Sequence, residues 1–214
     1  MNKDVNNYDD ELNFGMKDTL EVYCEKNFFN TFRVFLDEPI TDPCKYRNVI
    51  NTLERATEND VVEIRLNTPG GNYYTTMALY NAILNCPAHT RAILDGEACS
   101  GGSMILLACD EVVVMKNTYM MCHAASWGDW GDMKKLRNST TFSFEQIRKT
   151  LYDVYEGFLT NEEIEQMIEH SLEYWFGDEE IIERLKNRQE YLRKQSEEVE
   201  KPVSKPRTRK KKDV

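Results

Sequence analysis

From residue 31 to about 124 the apolar positions switch back and forth between two periodicities. Branched and aromatic residues crowd "TFRVFLDEPI" (31–40), "VVEIRLN" (61–67) and "TRAILDG" (90–96), short runs bounded by Asp, Asn, Pro and Gly that read as strands. Between the first two, "DPCKYRNVINTLERAT" (42–57) opens on Asp-Pro and repeats Tyr46, Val49, Ile50 and Leu53 at helical spacing. "YTTMALYNAILNC", after the break at "TPGG", and "SGGSMILLACD" read as helices, and "EVVVMKN" and "TYMMCHA" as two further strands around an Asn-Thr turn. Strand and helix alternating in this way imply right-handed βαβ crossovers, so the expected fold class is α/β, a parallel sheet covered by helices.

After residue 124 the pattern changes. "SWGDWGD" is a Gly-rich loop with two tryptophans. Phe144, Ile147, Leu151, Val154, Tyr155 and Phe158 then form one apolar stripe, which predicts a helix over 142–159 opened by a Ser143/Gln146 capping box. Thr160 and Glu163 open a second helix in the same way, and Asp178 serves as N-cap of a third. Residues 1–17 are polar and rich in Asn and Asp, so a flexible N-terminal segment is expected there. From 195 to 214 the chain is charged and contains Pro, which predicts a basic disordered tail behind a domain spanning 18–194.

The charge is divided unevenly. The net value is −10 from 27 basic and 37 acidic residues, yet seven of the basic ones lie in "KPVSKPRTRKKK" at 201–212. With that stretch and Asp213 set aside, 20 basic and 36 acidic residues leave the body near −16. Such a body offers no clustered Lys and Arg for phosphates, which argues against nucleic acid as its partner. The six cysteines, at 24, 44, 86, 99, 109 and 122, form no C-x-x-C pair and have no His at ligand spacing. They read as free thiols in a reducing compartment, with no metal expected. The N-terminus is too polar and acidic for a secretory signal, and the longest apolar run, "MILLAC", is too short to span a bilayer. The expected location is the cytoplasm, away from membranes.

Candidate chemistry lies in two strand–Gly–helix turns, "LNTPGG" (66–71) and "LDGEACSGG" (94–102). In a parallel sheet both fall at the carboxyl ends of strands, where such sheets place their sites. Glycines there leave amides uncovered at a helix N-terminus. Phosphate binding is one use, but neither turn carries G-x-x-x-x-G-K-[ST] or a nearby Lys. The other use is an oxyanion hole beside a nucleophile. Ser100 stands at the strand-to-helix junction ahead of Gly101 and Gly102, although a helix N-cap is the commoner task for such a serine. Cys99 and Ser103 are its neighbours, the first read as an inert buried thiol and the second as structural. Of the three histidines, His89 lies in a loop, His170 in an acidic helix, and His123 at a strand end next to the Gly-rich loop, where it could reach a neighbouring turn.

These stretches resemble the proteolytic subunit of the Clp protease, the ClpP family, over roughly residues 30–185. "RLNTPGG" is similar to the family's I-N-S-P-G-G, and "MALYNAI" to its A-I-Y-D-T-I helix. "DGEACSGGSMILLA" is similar to G-x-A-A-S-M-G-S-x-L-L-A, and "NTYMMCHAASWGDWGD" to P-N-x-x-x-M-I-H-Q-P-x-G-G-x-x-G. "EYWFGDEEIIE" resembles R-D-x-[FW]-[LM]-[ST]-A-E-E-A more distantly. The resemblance implies a ClpP/crotonase-like βαβ superhelix with a protruding handle helix, the handle region being about 125–172. It implies a serine endopeptidase acting on unfolded polypeptides, with Ser100 as nucleophile, His123 as base and Glu173 as the acid. The amides of Gly70 and Gly101 fall on the oxyanion-hole positions, and Trp127, Gly128 and Asp129 on the segment that pairs with substrate as an added strand. Implied partners are further copies of the chain in a heptameric ring or double ring and an AAA+ unfoldase, which alone would use ATP; no cofactor is implied for the chain itself.

The departures open alternatives. Glu173 stands where the family has Asp, and the added methylene shifts the carboxylate by roughly an ångström, a misplacement worth on the order of 10²-fold in rate. Asp178 is a rival acid. Ala124 and Ala125 replace the family's Gln-Pro after the histidine, and Trp127 and Trp130 are unusual, suited either to packing or to lining a substrate or ring surface. A catalytically inactive structural ring subunit is therefore an alternative. The divergent domain and tail also point to a phage or accessory copy, for which prohead maturation is another role. An acyl-CoA enzyme of the crotonase type shares the fold but lacks a Ser-His pair at these turns.

Overall fold

A computed structural model describes residues 22–26, 29–126 and 132–199. The expected flexible segment 1–17, the substrate-strand residues Trp127, Gly128 and Asp129, and the tail from 200 onward lie outside the described residues.

Period-two alternation builds a sheet with unlike faces. Strands β2 (Asn30–Leu36), β3 (Val61–Thr68) and β4 (His89–Cys99) run parallel, with Val34 beside Ile64 and Ile64 beside Ala92. The next inward row is Leu36, Leu66 and Leu94, and all six side chains are buried. Each of the branched ones contributes about 1.5–3 kcal/mol by leaving water. The intervening positions carry charge: Arg33 pairs with Glu63, and Arg65 makes a two-pronged contact with Asp95 at 2.7 and 2.9 Å. Helices α1 (Arg47–Arg55), α2 (Tyr73–Leu84) and α3 (Gly101–Ala108) pack on the apolar face through Val49, Leu53, Leu79, Ile83, Ile105 and Leu106. A 3-10 turn at Pro43–Tyr46 precedes α1, so the stretch expected as one helix from 42 to 57 begins with a tighter coil.

β4 is long enough to serve two neighbours. Arg91–Leu94 pairs with β5 (Glu111–Val114), and Glu97–Cys99 pairs with β6 (Tyr119–Cys122), both parallel. β5 and β6 thus follow each other along one edge of β4. Two antiparallel strands close the ends: β1 (Val22–Lys26) on β2 and β7 (Tyr174–Gly177) on β6. Neither β1 nor β7 stands out in the sequence, because they are only five and four residues long.

Helix α4 corrects one expectation. It spans Met133–Tyr155, and Asp132 caps it by accepting from the Lys134 amide at 3.0 Å. Ser143 and Gln146 therefore lie inside the helix and form no capping box, and Phe158 lies beyond its end. Its apolar stripe is buried only at Leu151, Val154 and Tyr155, while Phe142 and Phe144 remain exposed. The first half of α4 is an arm that stands clear of the core. The Thr160/Glu163 capping box is present at the start of α5 (Asn161–His170). α6 begins at Asp178 and runs to Val199, so helix replaces the expected tail between 195 and 199. Arg184 of α6 binds both Glu163 oxygens, at 2.9 and 3.0 Å, donates to Phe158 O and lies 4.3 Å over the Phe176 ring, joining α5, α6 and β7.

Candidate active site

Three parallel strands end together. Thr68 of β3 pairs with Ala98 of β4, and Cys99 of β4 with Met121 of β6, so the turns after β3, β4 and β6 share one edge of the sheet. Ser100 follows β4, His123 follows β6, and the Ser100 amide donates to Met121 O at 2.8 Å. Ser100 adopts φ 54° and ψ −119°, a conformation that costs a residue with a side chain about 1–3 kcal/mol. The sharp turn lifts its hydroxyl out of the strand line, and His123 Nε2 lies 2.7 Å from Ser100 Oγ. The serine and histidine separated by 23 residues in sequence thus meet at hydrogen-bonding distance, and Ser100 makes no side-chain N-cap bond to α3.

Glycines let the turns approach. Gly70, at φ +86°, sits so close to the nucleophile turn that an added Cβ would lie 2.7 Å from Ser100 Cβ and 2.8 Å from Gly101 N. An added Cβ at Gly101 would meet Thr76 Oγ1 at 2.3 Å, and one at Gly102 would meet Thr68 Cγ2 at 2.7 Å. The Gly70 amide is occupied, donating to Thr68 Oγ1 at 3.2 Å. A cavity of about 280 Å³ opens in front of Ser100, and its wall includes Gly71, Gly101, Tyr73, Met104, His123 and Leu151. The residue of "TPGG" on the cavity wall is therefore Gly71, one place beyond Gly70, the glycine that the family resemblance implies. The offset arises because Gly70 turns inward against Thr68 while Gly71 bridges to Ile40.

Glu173 reaches the same edge from the opposite direction. β7 is antiparallel to β6, and Cys122 faces Tyr174 as the first pair of the ladder. His123 follows Cys122 and Glu173 precedes Tyr174, so both leave the ladder at its same end. Both line a second, open cavity of about 750 Å³ together with Ser126, Leu136, Thr140 and Ser171. The Glu173 carboxylate is exposed and accepts a long bond, 3.4 Å, from Trp175 Nε1. Asp178, the rival acid, is held away from the histidine by accepting from the Asn117 amide at 3.0 Å.

The neighbours of Ser100 separate by environment. The Cys99 thiol is buried and pushed up to about 12 by that burial and then by Glu97, so it stays protonated and unreactive at neutral pH. Ser103 is fully buried; its hydroxyl lies 2.6 Å from Ser100 O and 2.7 Å from the Tyr155 hydroxyl. Sequence reasoning missed Gly71, Thr76 and Tyr155, which come to the site only through folding. Among the described residues there is no group of three or more His, Cys, Asp or Glu that could hold a metal ion, and no helix long and apolar enough to cross a membrane.

A sequence profile of the family described as Clp protease matches residues 17–183. The chain belongs to the Clp protease family. It is similar to the ATP-dependent Clp protease proteolytic subunit of Deinococcus radiodurans, with 26% identity over 153 residues that cover 70% of this chain and 74% of that protein. It is also similar to the chloroplastic ATP-dependent Clp protease proteolytic subunit 6 of Arabidopsis thaliana, with 25% identity over 130 residues, 58% of this chain and 48% of that protein. The α/β sheet with its parallel core is the Clp protease fold. Family membership makes this a ClpP-like peptidase in general terms, and the matched region includes Ser100, His123 and Glu173.

Proposed function

We propose that the chain is a serine endopeptidase that hydrolyses peptide bonds of unfolded polypeptides inside an oligomeric ring. The observation that carries this reading is the 2.7 Å contact between Ser100 Oγ and His123 Nε2, made from a backbone at φ 54°. His123 Nε2 takes the Ser100 proton as Oγ attacks the peptide carbonyl, and the resulting imidazolium returns a proton to the leaving amine. Water then cleaves the acyl-enzyme by the same relay. The amides of Gly101, at the start of α3, and Gly71 are the ones suited to the oxyanion, since the Gly70 amide already serves Thr68. Glu173, which lines the same cavity as His123, orients the ring and stabilises its charge once its carboxylate turns from Trp175. Trp127, Gly128 and Asp129 complete the reading as the strand that pairs with substrate.

The exposed arm of α4 suits docking between copies of the chain in a heptameric ring or double ring, and an AAA+ unfoldase would deliver substrate. The 3.4 Å bond between Glu173 and Trp175 favours a second reading, a ring subunit whose triad is incomplete and whose role is structural. Cleavage of an unstructured fluorogenic peptide by the wild type and by Ser100→Ala decides between them, with native mass reporting the ring. Turnover by the wild type and none by Ser100→Ala supports the peptidase; equal rates overturn it.

A further inference from the structure

Behind the Ser100–His123 pair lies a buried polar cluster that peptide hydrolysis does not itself require. Ser103 and Tyr155 are both fully buried, at 0% exposure, and their hydroxyls are 2.7 Å apart. Ser103 Oγ also lies 2.6 Å from Ser100 O, which accepts only. The Ser103 proton is thereby committed to the Ser100 carbonyl, so the Tyr155 hydroxyl donates to Ser103 Oγ. The Cys122 thiol, one residue before His123, lies beside the same two hydroxyls. One phenol therefore touches both arms of the site, the helix turn that follows Ser100 and the strand that delivers His123.

Tyr155 is fixed from behind. It is the last residue of α4, and Arg188 of α6 donates to the carbonyls on either side of it, Val154 O and Glu156 O, at 2.7 Å each. Tyr191 OH donates to Glu156 Oε2 at 2.8 Å. Burial raises the Tyr155 phenol well above its ordinary range, so it remains a neutral donor at any working pH. A phenylalanine would fill the same space, and the hydroxyl adds only its bond to Ser103.

We infer that Tyr155 is a positioning residue that acts through Ser103 to hold the Ser100 backbone in its strained turn, keeping Oγ on His123 Nε2; the inference rests on the serine-peptidase reading above. Ser100 O receives bonds from the Ser103 hydroxyl and from the Ser103 and Met104 amides, and the hydroxyl is the shortest of the three. Removing the phenol lets Ser103 rotate and the turn relax, and a displacement approaching 1 Å is worth up to about 10²-fold in rate.

The test uses the full chain and a fluorophosphonate probe that labels the active serine, with peptide kinetics and thermal melts alongside. Tyr155→Phe is expected to label Ser100 about 10-fold more slowly, with kcat reduced to match and KM within about twofold of wild type, at a melting temperature little changed. Ser103→Ala is expected to do the same, and the double variant to be no slower than the slower single. A wild-type labelling rate in Tyr155→Phe overturns the inference while leaving the peptidase reading intact, and so do losses that multiply in the double variant. Failure of the wild type to label overturns the peptidase reading and the inference with it. Should Tyr155→Phe fail to fold, Ser103→Ala decides the matter alone: slow labelling supports the inference and a wild-type rate overturns it.

Discussion

Gly70→Ala tests whether the meeting of the two glycine turns controls the nucleophile. The new Cβ would lie 2.5 Å from Cys99 O, 2.7 Å from Ser100 Cβ and 2.8 Å from Gly101 N. Ordinary contact begins near 3.4 Å, so the three shortfalls run from 0.6 to 0.9 Å. None of these atoms ends a flexible side chain, so relief must come from moving the Ser100 turn itself. The backbone at φ +86° adds about 1–2 kcal/mol of strain for any residue with a Cβ. A shift of half to all of the shortfall predicts about 10- to 100-fold slower fluorophosphonate labelling, together with a loss of about 2–4 kcal/mol in stability. Gly177→Ala is the matched control, because nothing lies within 4 Å of its added Cβ. Labelling rates and urea midpoints for the two variants decide the question. If Gly70→Ala labels as fast as Gly177→Ala, the approach of the turns does not set the position of Ser100.

Glu173→Gln keeps shape but loses charge, so peptide kcat should fall by about 10²-fold or more with KM little altered; an unchanged kcat removes Glu173 from the mechanism. Burial pushes the Glu163 carboxyl up, but hydrogen bonds from Arg184 and the Thr160 amide outweigh it and hold the group below its ordinary 4.5. The depressed value means that this pair stabilises fully above about pH 4.5 and progressively less as pH falls through the lowered value. Thermal melts from pH 7 to pH 3 should therefore show a steeper acid loss in the wild type than in Arg184→Met, which should already be about 2 kcal/mol less stable at pH 7; parallel acid limbs would refute this. Among Cys44, Cys86, Cys99, Cys109 and Cys122, iodoacetamide at pH 8 should reach exposed Cys44 first and spare Cys99, and Cys99→Ala should still label at Ser100. Peptide mapping and probe labelling read the two outcomes.

The parts of the fold legible in the sequence were those with strong periodicity. β2, β3 and β4 and helices α1 to α3 carry rows such as Val34, Ile64 and Ala92 that must face a core, and their expected bounds fall within a few residues of those observed. The start of α4 is not legible, because its first half buries nothing, so no apolar repeat marks residues 133–141, and Asp132 is a cap without a following stripe. β7 is four residues long, and only pairing with β6 gives it a face. The same division runs through the site. Ser100 and His123 stand at strand ends in motifs of fixed order, and the parallel register of β4 and β6 brings them together. Gly71 and Tyr155 could not be chosen in advance. Which glycine turns toward the cavity depends on Thr68 taking the Gly70 amide, and a tyrosine at the end of α4 reads as core until its hydroxyl is seen on Ser103.

The strain at Ser100 leads to one more measurable consequence. Its amide donates to Met121 O, its carbonyl accepts from Ser103 and Met104, and its side chain meets His123, so every polar group it has is bonded while the backbone stays at φ 54°. A residue held this way stores about 1–3 kcal/mol that the surrounding bonds must offset. Ser100→Ala loses the His123 contact and keeps the strain. Ser100→Gly loses the same contact and relieves the strain, at an entropic cost of about 0.5–1 kcal/mol for the added backbone freedom of the unfolded chain. The balance predicts that Ser100→Gly is more stable than Ser100→Ala by about 1 kcal/mol, the reverse of the usual order for these two residues. Urea denaturation of the two inactive variants measures the difference without reference to activity. If Ser100→Ala equals or exceeds Ser100→Gly, the turn is relaxed, and His123 finds Oγ without the strained elbow that the peptidase mechanism draws upon.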